Sequence, residues 1–182
     1  CKITHEESQI LVWNKHLKDF RRIYSRFLIY HYDMDWKYKD CIAKRVIDYY
    51  ATTPPVMEQI VHTQAVASYT RLIATMEGLE QQQVDLLETA AWLHDIGCPN
   101  ARIHYGNSRP MYQQSEGQKL VDEWLRGETD LTNNEKEWLA QVVGHHHQRP
   151  AALKWHFEQL YNADLIQNIW QVYYAMEKAE NK

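Results

Sequence analysis

The chain has 182 residues, 20 Lys plus Arg against 24 Asp plus Glu for a net charge of −4, and only 6 Gly and 5 Pro. That length suits one domain with a real core, and so little Gly and Pro argues against the tight turns of a sandwich or barrel and for an all-α chain. Cys1, Cys41 and Cys98 are too few for a disulfide framework or a Cys-rich zinc site, no apolar run approaches the roughly 20 residues of a membrane span, and unclustered Lys and Arg disfavour a dedicated nucleic-acid binder.

Thr4 and Glu7 resemble a capping box, and Ile10, Leu11, Trp13, Leu17, Phe20, Ile23, Tyr24, Phe27 and Leu28 recur at helical spacing, which predicts a helix over about 6–30. The start, CKITHEESQI, lacks a basic region followed by an apolar run, so a cytoplasmic protein is expected. After His31-Tyr32-Asp33-Met34-Asp35 a second helix is expected near 37–50. Thr53-Pro54-Pro55 reads as an N-cap with proline in the first turn of a helix over about 54–76, stopped by Gly78. Val84, Leu87, Ala90, Ala91 and Leu93 predict a helix over about 81–95, ending at Gly97-Cys98-Pro99. A long loop over about 98–111 follows, and loops of that length in compact domains are usually functional. Further helices are expected over about 113–126, closed by Gly127, over about 133–144, opened by a Thr132–Glu135 capping box, and over about 152–178.

The unusual feature of the composition is its 10 His. A single histidine on a helix is ordinarily a surface or core residue, so convergence is what matters. His62 shares a helix face with Ala65, Val66 and Tyr69, His94 lies on the stripe of Leu87 and Ala90, and Asp164 follows Leu160 by one turn. Burying such groups unpaired costs several kcal/mol, and a shared divalent ion supplies the partner. Imidazole nitrogen with carboxylate oxygen suits Mn, Fe, Co, Ni, Zn or Mg, one ion or two, without selecting among them.

The segments HTQAVASYTRLIA, AAWLHDIG, VVGHHH and YNADLIQN resemble, in order, the motifs of the HD superfamily, helical metal-dependent phosphohydrolases, with HYGNSRPMYQQSEG closest to small stand-alone bacterial members. The resemblance spans about 42–175 and implies an HD bundle over 41–182 with a helical extension over 1–40. It implies His62, His94, Asp95 and Asp164 as metal ligands, with Asp95 and His94 central to catalysis. It also implies a pair from the run His145-His146-His147, with His145 and His146 preferred and His147 spare. Where two-metal relatives commonly carry another ligand histidine, four residues before a glycine, this chain has Gln113 before Gly117. That departure favours one tightly held ion, or a second held weakly by His145, His146 and Glu116. Cys98 stands where a lysine often follows the motif, and is expected to be a plain loop thiol.

The resemblance implies hydrolysis of a phosphoester, mono- or diester, of a nucleotide or other small phosphorylated metabolite, in a soluble protein that forms no membrane contact and is free to homo-oligomerise. Substrate-phosphate partners are sought first in Arg102 and Arg109, whose forked guanidiniums suit phosphate, then in Lys119, Arg149 and Lys154, each weighed against a solvated surface charge. His104 is either a general acid or simply exposed, and Tyr105 and Tyr112 could stack on a base or sugar. The alternatives are a non-catalytic metal-containing module for ligand sensing or partner binding, and a di-iron oxygenase on the same scaffold, which Gln113 disfavours.

Overall fold

The structure, a computed structural model, describes residues 38–180. Among them are eight helices and no strand: α1 (Tyr38–Tyr50), α2 (Val56–Met76), α3 (Gln81–Leu93), α4 (Cys98–Tyr105), α5 (Pro110–Leu125), α6 (Asn133–His145), α7 (Arg149–Trp155) and α8 (Glu158–Glu180). The helix expected over 6–30 lies outside the described residues. No described helix is long and apolar enough to cross a membrane.

Helix α2 is central, packing along α3 and α8, while α5 packs on α6 and on α4. Ile60 and Val66 of α2, Leu93 of α3, Ile96, Leu139 of α6, Phe157 and Leu160 are all buried, each contributing about 1.5–3 kcal/mol by leaving water. Val66, Leu93 and Leu160 lie on the apolar stripes read from the sequence. The ends of α2 and α6 also answer to local chemistry: Gly78 takes φ 76 just after α2, and the Thr132 hydroxyl accepts the Glu135 N–H at the start of α6 while Glu135 accepts from the Thr132 N–H.

Three boundaries differ from expectation. Helix α2 begins at Val56, with an extended Pro55 in the N-cap position and no side-chain cap, so Thr53 is not its cap. The segment expected as a loop over 98–111 contains α4, because Pro99 sits in its first turn and Gly106, at φ 72, closes it; Gly97-Cys98-Pro99 starts a helix as well as ending one. The single helix expected over 152–178 is two, separated by His156 at φ 58. The Trp138 indole N–H donates to the last carbonyl of α7, Trp155 O, at 2.8 Å, and Phe157 then turns into the core, fully buried.

One close approach places the site. A Cβ on Gly97 would lie 2.0 Å from Gln113 O and 2.3 Å from Gly117 N, so only glycine lets the turn after α3 rest directly on α5. That contact brings Gln113 next to the residues at the end of α3.

Candidate metal centre

Four elements deliver their polar side chains to one point. His62 comes from the second turn of α2, His94 and Asp95 from the C-terminal end of α3, His146 from the end of α6 and Asp164 from the first turns of α8. His62 Nε2 lies 3.2 Å from His94 Nε2, 3.5 Å from Asp95 Oδ2 and 3.2 Å from Asp164 Oδ1. His94 Nε2 lies 3.5 Å from Asp95 Oδ2 and 3.8 Å from Asp164 Oδ1.

The donor set fits a divalent ion. Bonds of about 2.0–2.2 Å from nitrogen and oxygen to one ion space adjacent ligand atoms about 2.8–3.6 Å apart in tetrahedral or octahedral arrangements. Four of the five separations just given fall in that interval and the fifth is marginally longer. The outer nitrogens are committed elsewhere: His94 Nδ1 donates to Ala91 O at 2.7 Å and His146 Nδ1 to Val143 O at 2.8 Å. When neutral, each ring is thereby held with its Nε2 lone pair facing inward, the orientation a metal-binding histidine needs. Gln171 lies 3.1 Å from His62 Nδ1, and Asn168 donates to Asp164 Oδ1 at 2.9 Å.

A second cluster shares Asp95. Asp95, His146 and His147 also converge closely enough to hold an ion. Asp95 Oδ1 and His146 Nε2 lie 3.4 Å apart, are both buried, and neither completes a hydrogen bond. Two facing acceptors left in this state are a sign of a missing cation or proton. His147 is less free. Its Nε2 meets the Gln113 amide, whose oxygen accepts from the Cys98 thiol, and its Nδ1 lies 3.5 Å from Asp164 Oδ2.

The charges respond to this crowding. Burial opposes ionisation of Asp95, but the surrounding His94, His146 and His62 hold its carboxyl well below the usual range. Asp164 is lowered too, its burial outweighed by His62 and His94. His62 and His146 are each desolvated, yet the Asp164 and Asp95 carboxylates respectively raise them above the ordinary histidine value. Burial lowers His94 and, with the His146 charge, pushes His147 down to about 4. Burial and Asp95 push the Cys98 thiol far up, so it is a protonated donor to Gln113.

His145 is not brought to the cluster, which corrects the preference for it over His147. Its Nδ1 bonds Gln141 O at 2.9 Å and its ring packs edge-on to Trp155 at 4.8 Å, because the α6 backbone is still helical there and turns it to the far side. Glu116 is likewise engaged elsewhere, by Lys119 at 2.8 Å and His104 at 3.2 Å.

A cavity of about 240 Å³ opens over the cluster, lined among others by His62, Asp95, His147, Asp164, Cys98 and Arg102. Of the cations considered for phosphate, Arg102 lines it, held by Gln59 Oε1. Arg109, Arg149, Lys119 and His104 are exposed and do not line it; the surface pairing with Glu116 accounts for the last two. Tyr105 and Tyr112 stack on each other at 4.3 Å and 7° rather than framing the cavity. The sequence reading missed Asn168 and Gln171, which stand four and seven residues after Asp164 and so share its helix face, a spacing that could have found them.

A family profile described as HD domain matches residues 60–176, which contain every residue of the two clusters. No curated protein matches the chain, and no solved structure matches it.

Proposed function

We propose that this chain, which belongs to the HD-domain family, is a phosphohydrolase that uses the His62, His94, Asp95 and Asp164 cluster to hold a divalent ion and cleaves a phosphoester in the cavity above it. The observation that carries this reading is the pair of buried acceptors, Asp95 Oδ1 and His146 Nε2, left without hydrogen bonds where Asp95 meets that cavity. Such a pair is costly in a site with only a structural task.

A bound divalent ion supplies Lewis acidity toward the phosphoryl group and water. The protein's part is placement. Ala91 O and Val143 O orient the imidazoles of His94 and His146, Asn168 steadies Asp164, and Asp95 stays ionised with an oxygen turned to each cluster. Arg102, fixed by Gln59, offers its guanidinium to the phosphate oxygens. Water attacks phosphorus, and the bond to the leaving oxygen breaks. No protein nucleophile is needed: the Cys98 thiol, protonated and bonded to Gln113, is unsuited to attack.

The cavity volume, below the few hundred to 1,000 Å³ of typical ligand pockets, supports a substrate whose phosphoryl group and adjoining atoms enter while any remainder stays outside. The mutual stacking of Tyr105 and Tyr112 removes the feature that favoured a nucleotide base. The test is metal analysis of the purified protein with a phosphatase and phosphodiesterase screen over nucleotides and sugar phosphates. Bound divalent metal with phosphate release lost in Asp95→Ala supports the reading; metal-loaded protein inactive across the panel but stabilised by one of its compounds supports a sensing module instead.

A further inference from the structure

Among the described residues, several buried polar side-chain atoms find no hydrogen-bond partner, and three of them besides Asp95 Oδ1 belong to residues that line the cavity. These are the Tyr50 hydroxyl, the Thr63 hydroxyl and the Nε of Arg102. All three are donors. Native proteins pair nearly all such buried groups, because leaving one unpaired destabilises the fold.

Tyr50 is the last residue of α1 and is fully buried. Its interactions run to Asp95, Cys98 and Thr63, so it stands beside the metal-binding carboxylate without bonding it. Thr63 follows His62 directly and is 1 % exposed. The two hydroxyls stand within interaction range of each other, but neither reaches hydrogen-bond geometry with any protein atom. Burial, with Asp95 and Cys98 nearby, holds the Tyr50 phenol well above its ordinary range, and it therefore keeps its proton. A neutral donor is the right chemistry here, since an ionised group beside Asp95 would repel it while a phenol adds donor capacity at no charge.

We infer that Tyr50 and Thr63 form a hydroxyl pair that donates to the non-bridging oxygens of the substrate's phosphoryl group, extending the Arg102 contact into the buried end of the cavity. The inference rests on the phosphohydrolase reading. A phosphoryl group supplies what the protein omits: acceptor oxygens, carrying charge, beside three buried groups that can donate and have no protein partner. Charged acceptors make such hydrogen bonds worth more than neutral ones. Tyr50 and Thr63 touch no atom of the first cluster's ligand set by hydrogen bond, so their removal leaves metal binding intact.

The experiment uses Tyr50→Phe and Thr63→Val, which delete one oxygen each and retain the buried shape, and inorganic phosphate as the probe. Phosphate binding to the metal-loaded protein is read by calorimetry, metal content by elemental analysis, and thermal stability without phosphate by melting. The expected result is phosphate affinity lowered about 10- to 100-fold in Tyr50→Phe, unchanged metal content, and a melting temperature that is equal or higher because an unpaired buried donor has gone. A tyrosine with a purely structural role would show the reverse, a lowered melting temperature with phosphate affinity unchanged. That result in Tyr50→Phe, repeated in Thr63→Val, overturns the inference while leaving the hydrolase reading intact if wild type still binds phosphate and Arg102→Ala does not. Wild-type metal-loaded protein that neither binds phosphate nor releases it from any ester overturns both.

Discussion

His62, His94 and Asp164 stand on helix faces that core packing fixes, whereas His146 and His147 follow the last turn of α6, where no stripe dictates direction. The hydrogen bonds record the difference. On the first side, Ala91 O, Asn168 and Gln171 contact these side chains from outside and leave His62 Nε2 and His94 Nε2 facing each other at 3.2 Å. On the second, His146 is anchored to Val143 O, but both nitrogens of His147 have neighbours, the Gln113 amide and Asp164 Oδ2. A cluster built on helix faces is complete by folding alone; one built at a helix end depends on what the neighbouring helix presents, and here α5 presents an amide.

Asp95 belongs to both sides, so its loss should be the most severe. Asp95→Ala is expected to abolish metal retention and lower phosphoester turnover by about 1,000-fold or more, with the helical circular dichroism kept. Full activity in that variant would remove Asp95 from the chemistry. His146→Ala, which strikes the second side alone, is expected to cost about 100-fold in turnover while one ion remains bound; loss of all metal would show that the sides are one site. Gln171→Ala, acting behind His62, should weaken metal affinity about 10-fold, measured by competition with a chromogenic chelator. His145→Ala should leave metal content untouched and lower stability by only about 1 kcal/mol through the lost Trp155 contact, read by denaturant unfolding. A metal deficit there would mean the two ends of the His run had been exchanged.

Acid sharpens the contrast further. In the metal-free protein His62 and His146 have pKa values raised above the ordinary 6.5, so protons compete with metal for both as pH falls through those raised values. Metal affinity should therefore decline with acidification beginning above pH 6.5. His94, whose value is lowered, stays neutral over that range and takes no part. For the metal-free fold the sign is opposite at the carboxylates: Asp95 and Asp164 lie below 3.8, so their stabilisation is present above that pH and lost as pH falls through their folded values. Chelator competition and thermal melts across pH 7 to 3 separate the two effects.

What the sequence disclosed follows the same division. The stripe containing Leu87, Ala90 and His94 and the stripe ending in Leu160 and Asp164 carried both the fold and one half of the cluster, because helical period and burial act on the same positions. The His run was not legible in the same way. Successive helical residues point about 100° apart, and whether His145 or His147 joins His146 depends on Trp155 claiming His145 and Gln113 reaching His147, contacts from elements distant in sequence. The α4 helix was hidden because Gly97-Cys98-Pro99 carries both a stop and a start signal, and the break at His156 because a buried Phe157 and the Trp138 bond to Trp155 O override a continuous helical pattern. Tyr50 and Thr63 looked like ordinary helix residues; only their missing partners set them apart.

The most direct measurement is phosphate release from a phosphoester panel by the metal-loaded protein, run beside Asp95→Ala with the metal content of both determined on the same samples. Turnover of at least one ester by wild type, absent together with the metal in the variant, is the predicted result. Wild-type protein that holds its metal and cleaves nothing, or a variant that still hydrolyses, would contradict a hydrolytic metal centre built on Asp95.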